Sequence, residues 1–210
     1  MIDNWFSKSK LRNAIKKVAH KLFLGRISAN QLTIVGLILG LICALTIFLS
    51  EILPWRAELI ITASVLMALS FFVDMLDGAV ARLEGPTTFG GILDMFSDRI
   101  VEISIILALV STNISSLAFP GLLSFASITL CITIFLAIGA AVNDLQLKES
   151  EKVIYYSKGL MERSETFIFL LFLTIFWSVR FVLLWLFAIL VFITAIQRFR
   201  VAYKLFYKKE

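Results

Sequence analysis

The stretch DMLDGAVARLEGPTTFGGILDMFSD, residues Asp74 to Asp98, carries four aspartates between two strongly apolar runs, ASVLMALSFFV before it and IVEISIILALV after it. An aspartate at the centre of a membrane helix costs about 2.5–3.5 kcal/mol on insertion scales, whereas each Leu or Ile gains only about 0.3–0.6. Four lipid-facing aspartates would therefore cost on the order of 10 kcal/mol or more. These side chains must face a protein interior or a wet cavity.

The rest of the chain makes the membrane setting firm. Of 210 residues 60% are apolar, with nineteen Phe and a mean hydropathy of +0.93, far more apolar surface than a soluble domain of this size can bury. The expected class is all-α, a polytopic membrane protein. Cys43 and Cys131 lie inside apolar runs and suggest neither a disulfide framework nor zinc. His20 sits among lysines and receives no catalytic role. The net charge of +5 is read as cytoplasmic loops and lipid headgroups, with no nucleic-acid partner.

Residues 1–27 are polar and basic, with Leu11, Ile15, Val18 and Leu22 on one helical stripe and Arg12, Lys16 and Lys21 elsewhere. This predicts an amphipathic interfacial helix anchored by Trp5 and Phe6, ahead of a transmembrane catalytic domain over residues 28–210. Six transmembrane helices are expected near 31–50, 58–82, 91–112, 121–143, 163–179 and 181–199, each close to the ~20 residues a bilayer requires. With the N-terminus inside, the outer loops hold only Arg56 and Arg180. The inner segments hold Lys8, Lys10, Arg12, Lys16, Lys17, Lys21 and Arg26, then Arg198, Arg200, Lys204, Lys208 and Lys209. The asymmetry places both termini, and the aspartates, on the cytoplasmic side of the cell membrane.

At 100° per residue Asp74, Asp77, Gly78 and Ala81 share one helix face, with Arg82 at its edge. Gly91, Asp94, Asp98 and Glu102 share another on the following span. The connection LEGPTTFG is short, so the two acidic stripes face each other near the interface. Arg82 and Arg99 are the nearby cations in sequence. Even both together leave two negative charges over, and Arg99 points about 100° away from Asp98. Uncompensated buried charge is costly, so bound divalent cations balance the site. An all-carboxylate donor set selects a hard ion such as Mg2+, Mn2+ or Ca2+, and a metal pair suits phosphoryl chemistry. Gly78 and Gly91 leave room for a nucleotide beside the carboxylates.

Asp74-x-x-Asp77-Gly78-x-x-Ala81-Arg82, eight residues, then Gly91-x-x-Asp94-x-x-x-Asp98 resembles the signature of the CDP-alcohol phosphotransferases. The resemblance extends to the six-span architecture and the N-terminal helix. It implies an enzyme of phospholipid biosynthesis that moves a phosphatidyl-type group from a CDP-linked lipid (CDP-diacylglycerol or CDP-archaeol) to a soluble polar alcohol and releases CMP. It implies that Asp74, Asp77, Asp94 and Asp98 hold two Mg2+ or Mn2+ ions. Asp98 is also implied as catalytic base, Gly78, Ala81 and Gly91 as room for the nucleotide beside Asp77, and Arg82 as a diphosphate contact. Membrane lipids and a second copy, as a homodimer, are the implied partners. SANQLT (Ser28–Thr33) is similar to the family's Pro-Asn-x-Leu-Thr, with Ala29 replacing the proline and Asn30 as a nucleotide contact.

For the acceptor, GLMERSE (Gly159–Glu165) and IQRFR (Ile196–Arg200) resemble segments of phosphatidylinositol-phosphate synthases. That likeness implies that Arg163 and Arg198 hold the phosphate of inositol phosphate, a task for which Arg's bidentate geometry suits. Thr166 stands where that subfamily usually has a second arginine, and AIGAAVNDLQ lacks an expected basic residue. Glycerol phosphate, as in a phosphatidylglycerol-phosphate synthase, is the alternative acceptor. A divalent-cation transporter is the alternative of another class. Its site would be expected at the midplane on repeated, interrupted helices, whereas this cluster is interfacial and occurs once.

Overall fold

The structure, a computed structural model, describes residues 15–144 and 159–207. Trp5, Phe6, Lys8, Lys10, Leu11 and Arg12, and Lys208 and Lys209 at the other end, lie outside the described residues. All regular elements described are helical. Residues 15–18 make an α-turn that widens into a π-turn over Ala19–Phe23. Six helices follow: α1 (Ala29–Leu49), α2 (Arg56–Glu84), α3 (Thr88–Ser111), α4 (Ile114–Asp144), α5 (Arg163–Ile175) and α6 (Arg180–Phe206).

In the N-terminal turns Ile15 and Ala19 are buried, while Lys16, Lys17, His20 and Lys21 are exposed. Ile15, Ala19 and Leu32 pack with Leu76, Ala79 and Val80 in the last third of α2, beside the aspartates. Gly25, at φ +73°, makes the turn out of this segment, a backbone conformation natural to glycine. Ser28 then caps α1 reciprocally: its Oγ accepts from Gln31 N–H at 3.3 Å, and Gln31 Oε1 accepts from Ser28 N–H at 2.9 Å. Ala29 is the first helical residue, the position where a proline is tolerated because its missing N–H would have no helical partner.

Among the described residues, four stretches are long and apolar enough to cross a membrane: Ala29–Leu49, Arg56–Glu84, Ile114–Ala141 and Trp177–Phe206. The other two helices fall short for different reasons. α3 carries Asp94, Asp98, Arg99 and Glu102 from its first half into its middle. α5 has 13 residues, about 20 Å of helix against an apolar slab of ~30 Å. Its expected limit of residue 179 moves back to Ile175, because Trp177–Val179 form a single 3₁₀ turn before α6. The link between the acidic stripes is also tighter than LEGPTTFG suggested. α2 runs to Glu84 and α3 starts at Thr88, so only residues 85–87 connect them, turned by Gly85 at φ +100°.

α1 lies along both α2 and α3, α4 lies along α6, and α5 bridges the two groups by touching α2, α3 and α6. Gly36 and Gly40 of α1, spaced as in membrane-helix contact motifs, explain the first group. A Cβ on Gly36 would sit 3.6 Å from the Ser70 carbonyl oxygen and 4.0 Å from the Asp74 nitrogen of α2; one on Gly40 would sit 2.5 Å from Val101 of α3. Ser70 Oγ donates to the Gly36 carbonyl at 2.7 Å. Close approach to α1 thus brings Asp74 and α3 to one place. Ile47, Met67, Ile105, Leu109, Leu173, Leu184 and Phe187 fill the fully or nearly fully buried core.

At the end remote from the aspartates, Arg180 is 3% exposed, not the solvated loop cation that the charge pattern suggested. Its Nε donates to the Leu173 carbonyl at 3.0 Å, its Nη2 to the Thr174 carbonyl at 3.4 Å and its Nη1 to Thr112 Oγ1 at 2.6 Å. One guanidinium thereby satisfies the open carbonyl end of α5 and joins it to the end of α3. Arg56 pairs with Glu51 at 2.5 Å and lies 4.5 Å over the Trp177 ring.

Candidate active site

Asp74 on α2 and Asp94 and Asp98 on α3 each offer a carboxylate oxygen, and the three oxygens lie within 4.8 Å of one another. The i, i+4 spacing of Asp94 and Asp98 puts both on one face of α3, and the three-residue link folds that face against α2. All three are half-buried. Asp77, one turn beyond Asp74, stands outside this group but lines the same cleft. It is 4% exposed, and its Oδ2 is buried without a hydrogen-bond partner among the described residues.

The cation that reaches the cluster is Arg163, at the first position of α5. Its Nη2 donates to Asp94 Oδ1 at 3.0 Å, to Asp98 Oδ1 at 2.7 Å and to Asp74 Oδ1. Neither arginine nearest in sequence does this. Arg99 pairs with Glu102 one turn along its own helix. Arg82 folds back along α2, so that a Cβ on Gly78 would sit 3.4 Å from its Nη1. Against the Arg163 guanidinium, the cation in contact with the cluster among the described residues, four carboxylates leave three negative charges (4 − 1 = 3), all on oxygen donors. Together with the orphaned Asp77 oxygen, that set fits one or two hard divalent cations.

A cleft opens from the cluster between α1, α2, α3 and α5. Thr33, Ser97, Glu102 and Thr166 add polar groups near its acidic end. Leu37, Met67, Ile105 and Leu170 line the remainder, and Phe71 and Phe167 stack at 4.0 Å beside it. Glu102 lay on the acidic stripe already legible in sequence. The aromatic pair joins α2 to α5 across nearly a hundred residues and had no local signal. Gly36 and Gly40, which line the cleft, had one in their four-residue spacing.

The residues expected around a nucleotide divide differently. Gly78, Ala81, Arg82 and Gly91 lie beyond the cleft, with Arg82 and Gly91 exposed and open space around Gly91. The space at Gly78 is taken by the Arg82 guanidinium. Asn30 sits where α3 begins, its Oδ1 3.1 Å from where a Gly90 Cβ would be.

Arg163 and Arg198 are not brought together as a pair. Arg198 is absent from the cleft lining; its Nη1 donates to the Cys131 carbonyl and lies 3.2 Å from both that oxygen and Cys131 Sγ. Its guanidinium also covers the Phe135 ring at 5.0 Å. A long side chain near a helix end has several anchoring choices, and sequence position alone does not select among them.

The family model for CDP-alcohol phosphatidyltransferase matches residues 26–195 of this chain. Related proteins include the archaetidylinositol phosphate synthase of Pyrococcus horikoshii, 28% identical over 194 residues that cover 91% of this chain and 92% of that protein. The archaetidylinositol phosphate synthase of Methanothermobacter thermautotrophicus is 34% identical over 113 residues, 53% of this chain and 52% of that protein. In fold, the chain matches the phosphatidylinositol phosphate synthase of Mycobacterium tuberculosis. The structure with CDP-DAG bound gives a TM-score of 0.68 at 22% identity over 90% of this chain and 93% of that one. The structure with manganese and citrate gives 0.70 at 23% identity over 90% and 88%.

Proposed function

From the chain's membership of the CDP-alcohol phosphatidyltransferase family, we propose that it transfers a phosphatidyl-type group from a CDP-linked lipid to inositol phosphate and releases CMP. The observation that carries the acceptor reading is Arg163, a guanidinium held at the reacting end of the cleft. The two related archaetidylinositol phosphate synthases support the same acceptor, and their names favour CDP-archaeol over CDP-diacylglycerol as donor. Acceptor-dependent release of CMP by the purified protein tests the reading.

Asp74, Asp94 and Asp98, with Asp77 beside them, would hold two Mg2+ or Mn2+ ions. Bound there, such ions polarise the phosphates and stabilise the attacking and leaving oxygens. The chain's own groups do the rest. Asp98 accepts the proton of the acceptor hydroxyl as its oxygen attacks the lipid-bearing phosphorus, and the bond from that phosphorus to CMP breaks. Arg163, beside Asp98, offers charge and paired N–H donors to the acceptor's phosphate. Arg82 and the open backbone at Gly91 provide a surface for the cytidine diphosphate outside the cleft. The apolar walls at Leu37, Met67, Ile105 and Leu170 exclude water from one side of the reacting groups.

The membrane arrangement follows the same logic. α3 and α5 complete a six-span bundle: the polar residues of α3 face the cleft instead of lipid, and α5 is extended by the turn Trp177–Val179 to a short crossing. The N-terminal turns lie at the interface on their basic face, ahead of a catalytic domain from residue 28. The acidic end is cytoplasmic: Lys16, Lys17, Lys21, Arg26, Arg200 and Lys204 cluster there, while at the other end Arg56 is paired and Arg180 is buried. A homodimer remains part of this proposal through the family likeness alone. Glycerol phosphate stays as the second acceptor, because Arg198 is anchored on Cys131 and leaves Arg163 as the arginine facing the acceptor.

A further inference from the structure

Residues 159–162 lead into α5 without helical structure of their own, so their N–H groups have no helical partner. Three successive donors are nevertheless taken up by side chains. Gly159 N–H reaches Glu162 Oε1 at 3.4 Å, Leu160 N–H reaches Gln197 Oε1 at 2.9 Å, and Met161 N–H reaches Thr194 Oγ1 at 2.9 Å. Two of the three acceptors come from α6. Thr194 is fully buried, and its hydroxyl donates to the Leu190 carbonyl at 2.9 Å, leaving its lone pairs for Met161. A Cβ on Gly159 would collide with Thr194 Cγ2, so the segment lies flush against α6.

Arg163 follows Met161 by two residues. Its side chain has four rotatable bonds and could point many ways from a mobile backbone. To meet three aspartates its Cα must be held in place; the packing of α5 contributes to that hold, and Thr194 and Gln197 fix the backbone just ahead of it.

We propose that Thr194 and Gln197 are positioning residues for Arg163, fixing the backbone from which its guanidinium enters the aspartate cluster and so setting how tightly the acceptor is held. The proposal rests on the reading of Arg163 as the contact to the acceptor's phosphate. Neither residue lines the cleft, and the side-chain oxygens of both are engaged by the backbone that leads into α5. The effect passes through geometry, to which a reacting centre is sensitive at about the 1 Å scale.

The test uses the full-length enzyme with inositol phosphate and CDP-lipid as substrates. Thr194→Val keeps the side chain's shape and removes the acceptor oxygen; Gln197→Met does the same at a half-buried site, and Thr194→Ser restores the oxygen. Each of the first two variants is expected to raise the acceptor KM about fivefold, the loss of one ordinary hydrogen bond. The CDP-lipid KM should stay unchanged, and Thr194→Ser should match the parent. In an Arg163→Ala background, Thr194→Val should add nothing further, because the group it positions is gone. Full additivity there, equal rises for both substrates, or no rise in either variant overturns the proposal. If Thr194→Val does not fold, Gln197→Met decides by the same criteria. Failure of the underlying reading has its own mark: Arg163→Ala would leave the acceptor KM unchanged, and the positioning role would fall with it.

Discussion

Arg163 Nη2 lies 2.7 Å from Asp98 Oδ1, joining the first residue of α5 to the first half of α3 across 65 residues of sequence. The same nitrogen serves Asp74 and Asp94. A guanidinium and a divalent cation therefore compete for the same oxygens. Arg163→Ala should tighten Mn2+ binding about tenfold, the lower end for a charge-assisted contact of about 1.5–3 kcal/mol at a half-exposed site. Titration of the purified protein followed by electron paramagnetic resonance reads this directly. Weaker Mn2+ binding in the variant would show that Arg163 helps to build the metal site instead of competing for it.

Asp77→Asn and Asp94→Asn should each abolish turnover in a protein that stays folded and monodisperse. Each removes one ligand charge from a site whose affinity depends on charge count. Near-normal CMP release by purified Asp77→Asn in Mg2+ would exclude Asp77 from the metal site. That result would fit its place outside the three clustered carboxylates, with the cleft as its only role.

Asp98→Asn keeps the size of the side chain and one coordinating oxygen but cannot take a proton. A kcat loss of about 10²-fold or more is expected, the scale of general base catalysis, with CDP-lipid and Mg2+ affinity changed modestly. Direct attack also inverts configuration at phosphorus. Retention with a chiral-phosphate donor would make Asp98 a candidate nucleophile in place of a base.

Arg180 gives a prediction about the fold alone. Arg180→Lys keeps the charge but cannot span two carbonyls and the Thr112 hydroxyl together, so acceptors are left unpaired at about 1–3 kcal/mol each. The variant should unfold in detergent at a lower temperature, with both substrate KM values unchanged. A selective loss of acceptor affinity would show that this end of the bundle communicates with the cleft.

The acidic signature was legible because carboxylates are costly in an apolar run, and their 3–4 spacing puts them on two facing stripes without any knowledge of packing. The all-helical class was legible for the same reason, as were the four stretches long and apolar enough to cross a membrane, since apolar length is a local property; α3, with its charges, and α5, with its 13 residues, are not of that kind. What sequence reading missed depends on contacts between distant elements. Charge balance was sought from Arg82 and Arg99, neighbours in the chain, whereas Arg163 arrives from another helix. Arg180 counted as a loop cation because position in sequence does not reveal that α5 ends early and presents bare carbonyls beside it. Arg198 was paired with Arg163 by likeness, but a cysteine and a phenylalanine on α4 claim it first.

The most direct test of the account is release of labelled CMP from CDP-archaeol and from CDP-diacylglycerol by the purified enzyme in Mg2+ or Mn2+, with inositol phosphate or glycerol phosphate as acceptor. The account predicts CMP release that needs both the metal and inositol phosphate, stops with chelator, and yields a phosphorylated inositol lipid. Release with glycerol phosphate alone would correct the acceptor. No release with either acceptor and either donor, from folded protein that binds Mn2+, would contradict the transferase assignment itself.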